Sequence, residues 1–384
     1  MGRSDMGKRA SAMISITHHC AVLGSPISHS LSPLLHEAAY KALGLDDWAY
    51  NRQEVTQADL PAFVQSLDPS WVGLSLTMPL KQAIVPYGQA QDPWAKRLRV
   101  ANTAVFDWGS ASQETQGQAA IRLYNTDVAG IALAFRHAWQ VQQASGLGLA
   151  SRPLRAGGTA VILGNGNTAQ SALAALASLQ AGASETLPGS PKQGDPTDSS
   201  SGAQGADVRP WRLVLAARHP DSHPDILDLA GDYRHVMDLN TVALHDEALT
   251  GLLADADVVI STLPAHAADS VAESLAASGH HLSGSLLDVA YDPRPSLLNR
   301  VWDEGGGLSI GGEEMLLYQA LIQLLVMLGP RLPEVDRNID QATGAAAVAA
   351  IGPDLKTAFQ MPYLSDRLVA AVEQSMRAAI QEAL

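Results

Sequence analysis

The stretch Gly158–Gln180, GTAVILGNGNTAQSALAALASLQ, reads as an apolar strand, a tight glycine turn and an alanine-rich helix. The turn is Gly164-x-Gly166-x-x-Ala169, placed between strand and helix, where a dinucleotide pyrophosphate needs it. Gly164 permits the tight turn, Gly166 lets the backbone approach the pyrophosphate, and Ala169 lets helix and strand pack closely. A second strand, WRLVLAARH, follows at 211–219, so the region is half of a nucleotide-binding sheet. Between them, 181–206 is rich in Gly, Ser, Pro and Asp and is expected to be a flexible insertion that buries too little to fold. Two further apolar strands, ADVVIST at 256–262 and GSLLDVAY at 284–291, precede a long apolar helix from about Glu313 to Leu328.

The first part of the chain also alternates strand-like runs, such as AVLG and WVGLSLTM, with helical ones, such as SPLLHEAAYKALG. That alternation predicts an α/β fold. The 384 residues are 46% hydrophobic and 17% charged, enough for one large core or two ordinary ones. A formal net charge of −14 and the lack of any dense Lys/Arg run argue against nucleic acid or an anionic membrane as partners. The single cysteine, Cys20, excludes an intrachain disulfide and fits a reducing compartment. The start, MGRSDMGKRASAMISI, lacks a long apolar core, so a disordered leader and a cytoplasmic location are expected.

Polar residues fall at strand ends and helix starts. Ser25–Tyr40, SPISHSLSPLLHEAAY, predicts a helix capped by Ser32 with Pro33 as its first residue. Ser30 is not needed for that cap, and paired serines at a helix N-terminus suit an anion such as a carboxylate. Thr77 and Lys81 flank a proline turn, Asn102 and Thr103 sit in an apolar strand, and Asn125, Thr126 and Asp127 open a helix. Asp127 has a plain reading as a helix cap. A lysine, an aspartate, asparagines and hydroxyls gathered at successive strand ends would suit a polyhydroxylated acid. The strand at 211–219 ends in Arg218 and His219 rather than an acidic residue, which favours the 2′-phosphate of NADP, while Asp221 keeps NAD open. The twelve histidines show no ligand-like spacing, so no metal is expected, and His29 and His36 read as loop and helix-surface residues.

From about Cys20 to Leu328 the chain resembles the shikimate dehydrogenases. The motifs GSPISHSLSPLLH, SLTMPLK, ANTAV, NTDVAG, GNGNTA, ISTLP, DVAYDP and GGEEMLLYQA occur in the family's order. The resemblance implies two domains: a substrate domain over 16–126 after a leader at 1–15, completed by C-terminal helices 313–384, and an NADP-binding Rossmann domain over 127–312, with the active site in the cleft between. It implies that Ser30, Ser32 and Tyr291 hold the substrate carboxylate, that Thr77, Asn102 and Gln319 bind ring hydroxyls, and that Lys81 and Asp127 form the catalytic pair. For the cofactor it implies Gly164, Asn165, Gly166, Asn167, Thr168, Ala169, Arg218, Thr262, Gly312 and Met315, although Met315 reads equally well as helix packing.

The implied reaction is reversible, NADP-dependent reduction of 3-dehydroshikimate to shikimate on the route to aromatic amino acids, by a monomer or homodimer. Two alternatives stand beside it: an NAD-preferring quinate/shikimate dehydrogenase, and a non-catalytic ligand-sensing relative. Serine rather than threonine at Ser32 favours shikimate over quinate, and retention of Lys81 with Asp127 argues against a sensor. The chain departs from the family pattern at Ser75, where asparagine is usual, and at Ala217, Arg218 and His219, where Asn-Arg-Thr is usual. The second departure weakens the expected adenosine recognition. The tail beyond the apolar helix is longer than the family leads one to expect, with packing on the first domain, oligomerisation or neither as its possible roles.

Overall fold

The computed structural model describes residues 15–110, 117–145, 157–181, 210–235, 237–332 and 366–384. The leader expected over 1–15 and the insertion expected over 181–206 lie outside the described residues except at their inner ends.

Two six-stranded sheets organise the chain. The first is built from β1 (His18–Gly24), β2 (Trp48–Glu54), β3 (Trp71–Leu76), β4 (Gln89–Ala90), β5 (Thr103–Asp107) and β6 (Ala120–Tyr124), in the order β2-β1-β3-β5-β6-β4. β1 runs parallel to β2 and β3, whereas β5 is antiparallel to both β3 and β6. Helices α1 (Ser32–Leu43), α2 (Leu60–Gln65), α3 (Leu80–Ala83) and α4 (Pro93–Leu98) connect these strands, and α5 (Asp127–Ala144) leads out of the sheet.

The second sheet contains β7 (Thr159–Leu163), β8 (Trp211–Ala217), β9 (Met237–Ala243), β10 (Val258–Ser261), β11 (Ser285–Asp288) and β12 (Leu308–Ile310). Its order is β12-β11-β10-β7-β8-β9 with every neighbouring pair parallel, the doubly wound arrangement that the glycine turn predicts. Helices α6 (Asn167–Ala181), α7 (Pro224–Asp232), α8 (Leu249–Ala254), α9 (Asp269–Ser278) and α10 (Leu297–Glu304) serve as its crossovers. The strand order reverses between β7 and β10, and such switch points open the crevice in which nucleotides bind.

Helix α11 (Gly312–Leu328) returns from β12 to the first sheet, and α12 (Asp366–Ala383) follows in the described tail. α11 is apolar on nearly all sides because it is surrounded: it packs on α5, β3, β5 and α1. Where α5 and α11 cross, a Cβ on Gly130 would stand 2.8 Å from Gln319 Cβ, so glycine there sets how closely the helices approach. α12 lies on α1 and α11, burying Leu368, Val372, Met376 and Ile380 at helical spacing. Arg377 of α12 pairs with Glu314 of α11 at 2.5 Å and Glu373 at 2.6 Å. Of the roles open to the tail, packing on the first sheet's helices is the one its described part takes.

Candidate functional site

The loop between β1 and α1 differs from its sequence reading in one respect. α1 begins at Ser32 itself, Leu31 stands at the N-cap, and no side chain there caps the helix. Instead the Ser32 N–H donates to Ser30 Oγ at 3.3 Å, and Ser30 Oγ lies 3.3 Å from Ser32 Oγ. Both hydroxyls therefore converge at the start of α1, beside a cavity of about 340 Å³ between the two sheets.

That cavity is lined by every residue assigned above to substrate binding or catalysis: Ser30, Ser32, Thr77, Lys81, Asn102, Asp127, Tyr291 and Gln319. Lys81 on α3 reaches Asp127, the first residue of α5, with Nζ 2.6 Å from Oδ2. Both side chains are largely buried, at 15% and 5% exposure, so the pair is shielded from solvent. Asn102, just before β5, donates from Nδ2 to Asp127 Oδ1 at 2.8 Å and to Thr126 Oγ1 at 2.9 Å, while its Oδ1 accepts from the Thr126 N–H at 2.8 Å. The asparagine thus fixes both the carboxylate and the backbone at the start of α5. Gln319 Oε1 lies 3.3 Å from the same Nδ2, and its Nε2 donates to the Leu316 carbonyl on its own helix.

Beneath these groups lies a buried polar floor that the sequence did not disclose. Tyr50 on β2 donates to Ser75 Oγ at 2.5 Å, Ser75 donates to Gln323 Oε1 at 2.8 Å, and Gln323 Nε2 donates to the Asn102 carbonyl at 3.2 Å. Ser75 and Gln323 line the cavity. His36 is also part of this layer. Rather than lying on the surface of α1 as read from the sequence, it is fully buried and stacked on Tyr50 at 4.0 Å. Burial pushes its imidazole down to about 3, opposed by Gln323. His29 is exposed on the loop, as expected. Asp92 was likewise missed: it caps α4 through the N–H groups of Trp94 and Ala95, and its other oxygen accepts from the Asn125 N–H at 2.8 Å. Burial pushes its carboxyl up to about 6, against those three donors. His36 closes the GSPISHSLSPLLH motif, which does not disclose its burial. A cap signal of Asp92 before Pro93 was the available clue.

The glycine turn lies at the switch point. Gly164 has φ +105, and a Cβ there would meet Thr262 Oγ1 at 2.4 Å. Thr262, just after β10, donates from its backbone and its hydroxyl to the Leu163 carbonyl at the end of β7, at 2.8 and 2.9 Å. Nothing stands within 4 Å of where a Gly166 Cβ would be, so the backbone is open at the start of α6, where Asn167 and Thr168 are half-buried and Ala169 is packed inside. Asn165 Nδ2 donates to the His219 carbonyl at 2.8 Å, tying the turn to the end of β8, where Arg218 is exposed. This cradle fits a dinucleotide: a glycine at positive φ, an open helix N-terminus and an exposed guanidinium at the strand end. Thr168, Gly312 and Met315 line the substrate cavity as well, so the two halves of the site share an edge. The remaining cofactor candidates, Gly164 to Asn167, Ala169, Arg218 and Thr262, lie outside it. A larger cavity, about 450 Å³, opens near α4 and α7 beside Arg97, Arg99, Asp225 and Asp228, but contains none of these groups. Among the described residues, no cluster of His, Cys, Asp and Glu could hold a metal ion.

Comparison with known proteins places this geometry. The family model for the shikimate dehydrogenase substrate binding domain matches residues 22–104. A shikimate dehydrogenase (NADP(+)) from Halobacterium salinarum is 30% identical over 299 residues, 78% of this chain and 88% of that protein. Another from Methanothermobacter thermautotrophicus is 26% identical over 83% of this chain and 94% of that protein. The crystal structure of Mycobacterium tuberculosis shikimate dehydrogenase superposes with a TM-score of 0.59 at 31% identity, covering 87% of this chain and all of that one. With 30% identity over 78% of its length, the chain belongs to the shikimate dehydrogenase family.

Proposed function

We propose that the protein catalyses the reversible, NADP-linked reduction of 3-dehydroshikimate to shikimate, with Lys81 and Asp127 as its catalytic pair. The observation that carries this reading is the shielded 2.6 Å contact between Lys81 Nζ and Asp127 Oδ2 on the wall of a cavity that borders the nucleotide cradle. Reducing a ketone requires a hydride at carbon and a proton at oxygen. Bound NADPH supplies the hydride. Lys81 Nζ stabilises charge developing on the carbonyl oxygen and delivers the proton, and Asp127 holds the ammonium in line. Asn102 keeps Asp127 in place from the opposite side. The Ser30 and Ser32 hydroxyls and the Tyr291 hydroxyl donate to the carboxylate, while Thr77, Asn102 and Gln319 take the ring hydroxyls. The first turn of α6 receives the pyrophosphate, and Arg218 a 2′-phosphate.

The chain divides accordingly into a substrate domain, 16–126 with the helices from 313 to 384, and a nucleotide domain, 127–312. A cytoplasmic location accords with a single cysteine and a net charge of −14, and the enzyme is taken as a monomer or homodimer.

Absorbance at 340 nm tests the reading directly, with shikimate and quinate each supplied with NADP and with NAD. Shikimate with NADP should be the best pair. Faster turnover of quinate with NAD would make the protein a quinate/shikimate dehydrogenase and leave Asp221, in the turn after β8, as the residue reading the ribose.

A further inference from the structure

The lysine and arginine at and near the cavity are already paired with carboxylates. Lys81 is matched by Asp127. Arg294, near the start of α11, is matched by Glu313 at 2.9 Å. Ser30, Ser32 and Tyr291 offer neutral hydroxyls. A carboxylate bound among them would meet hydrogen-bond donors and the N-terminus of α1 but no unmatched cation from Lys81 or Arg294, although charge-assisted hydrogen bonds are the stronger kind.

Arg52 changes this balance. It lies on β2, the outermost strand beside β1, in register with Val22, whose strand runs into the serine loop. Its Nε donates to the Ser30 carbonyl at 2.7 Å, which fixes the guanidinium against the loop that carries both serines. That contact uses one of the five N–H donors and leaves those on both Nη atoms. Among the described residues, no carboxylate is paired with it. Its charge also reaches the third member of the set: burial and Asp292 push the Tyr291 hydroxyl up, and Arg52 draws it back.

We propose that Arg52 supplies the positive charge for the substrate carboxylate, which makes it the residue that selects an anionic substrate over a neutral one of the same shape. The proposal rests on the reading that the carboxylate lies at Ser30, Ser32 and Tyr291. A planar fork held at Nε can present two parallel donors to a carboxylate, and from an exposed position it also draws anions toward the cleft. Because Arg52 is exposed, its effect is screened by salt.

The test is equilibrium binding, by calorimetry, of shikimate and of shikimate methyl ester to the wild-type protein, Arg52→Gln and Arg52→Lys, repeated from about 20 mM to about 500 mM ionic strength. Binding of NADP to each variant serves as the check that it is folded. The wild type should prefer the acid, and Arg52→Gln should weaken the acid about tenfold, leave the ester unchanged and flatten the salt dependence. Arg52→Lys should recover most of the preference. In turnover, the same loss should appear in KM with kcat little altered. Equal weakening of acid and ester would show that Arg52 only supports the serine loop, and unchanged acid binding would show that it has no part in the site. Either result overturns the proposal while leaving the dehydrogenase reading intact. A wild-type protein that binds no shikimate would overturn both.

Discussion

Lys81 Nζ and Asp127 Oδ2 stand 2.6 Å apart although 46 residues separate them in the chain, and Asn102 holds the carboxylate from its other oxygen at 2.8 Å. An amide at position 127 would keep the shape and lose the charge. Asp127→Asn is therefore expected to lower kcat by about 10²-fold or more, with shikimate affinity changed little. Steady-state kinetics beside calorimetric binding separate the two quantities. An equal fall in affinity and no fall in kcat would assign Asp127 to substrate binding alone.

His36 gives the fold an acid-sensitive point. Its imidazole, with an ordinary value near 6.5, is held down to about 3 by burial, so the unfolded chain takes up a proton that the folded chain refuses. Stability from the neutral ring is fully present above about pH 6.5 and is lost as pH falls toward 3, by about 1.4 kcal/mol per pH unit. His36→Phe keeps an aromatic ring against Tyr50 and removes the titration. Thermal unfolding from pH 7.5 to 4.5 should show the gap between wild type and variant shifting in favour of the variant as pH falls. Parallel melting curves across that range would contradict the assignment.

The nucleotide cradle predicts a separable defect. Gly164→Ala would place a methyl group 2.4 Å from Thr262 Oγ1 at a φ of +105, so the turn must move. NADP binding should weaken by about tenfold or more while shikimate binding persists, as parallel titrations would show. Arg218→Gln should weaken NADP and leave NAD unaffected, and equal losses for both would remove Arg218 from 2′-phosphate recognition.

How far the sequence disclosed this site depended on distance along the chain. The Gly164-x-Gly166-x-x-Ala169 turn was legible because its three small residues act within one strand–helix junction, and the parallel sheet around it followed. Lys81, Asn102 and Asp127 were legible only as polar residues at strand ends, and their convergence came from the family resemblance. What stayed hidden depended on long-range packing. Ser75 and Gln323 are 248 residues apart and meet because α11 returns across the first sheet. His36 reads as a surface residue on a one-dimensional helix pattern, but Tyr50 on β2 and Gln323 on α11 enclose it. Ser32 has the sequence of a helix cap, yet Ser30 takes up its N–H instead and α1 starts one residue early. Arg52 carries no motif at all, and its relation to Ser30 follows only from the neighbouring positions of β1 and β2.

The most direct measurement is the NADP-linked oxidation of shikimate by the wild type and by Lys81→Met, each shown by calorimetry to bind shikimate and NADP. The account predicts turnover by the wild type and a loss of about 10²–10⁴-fold in kcat for the variant, with both ligands still bound. Comparable turnover by Lys81→Met would contradict the assignment of the proton to this lysine, and a wild type that binds both ligands without turning them over would mark the chain as a sensor built on an enzyme's fold.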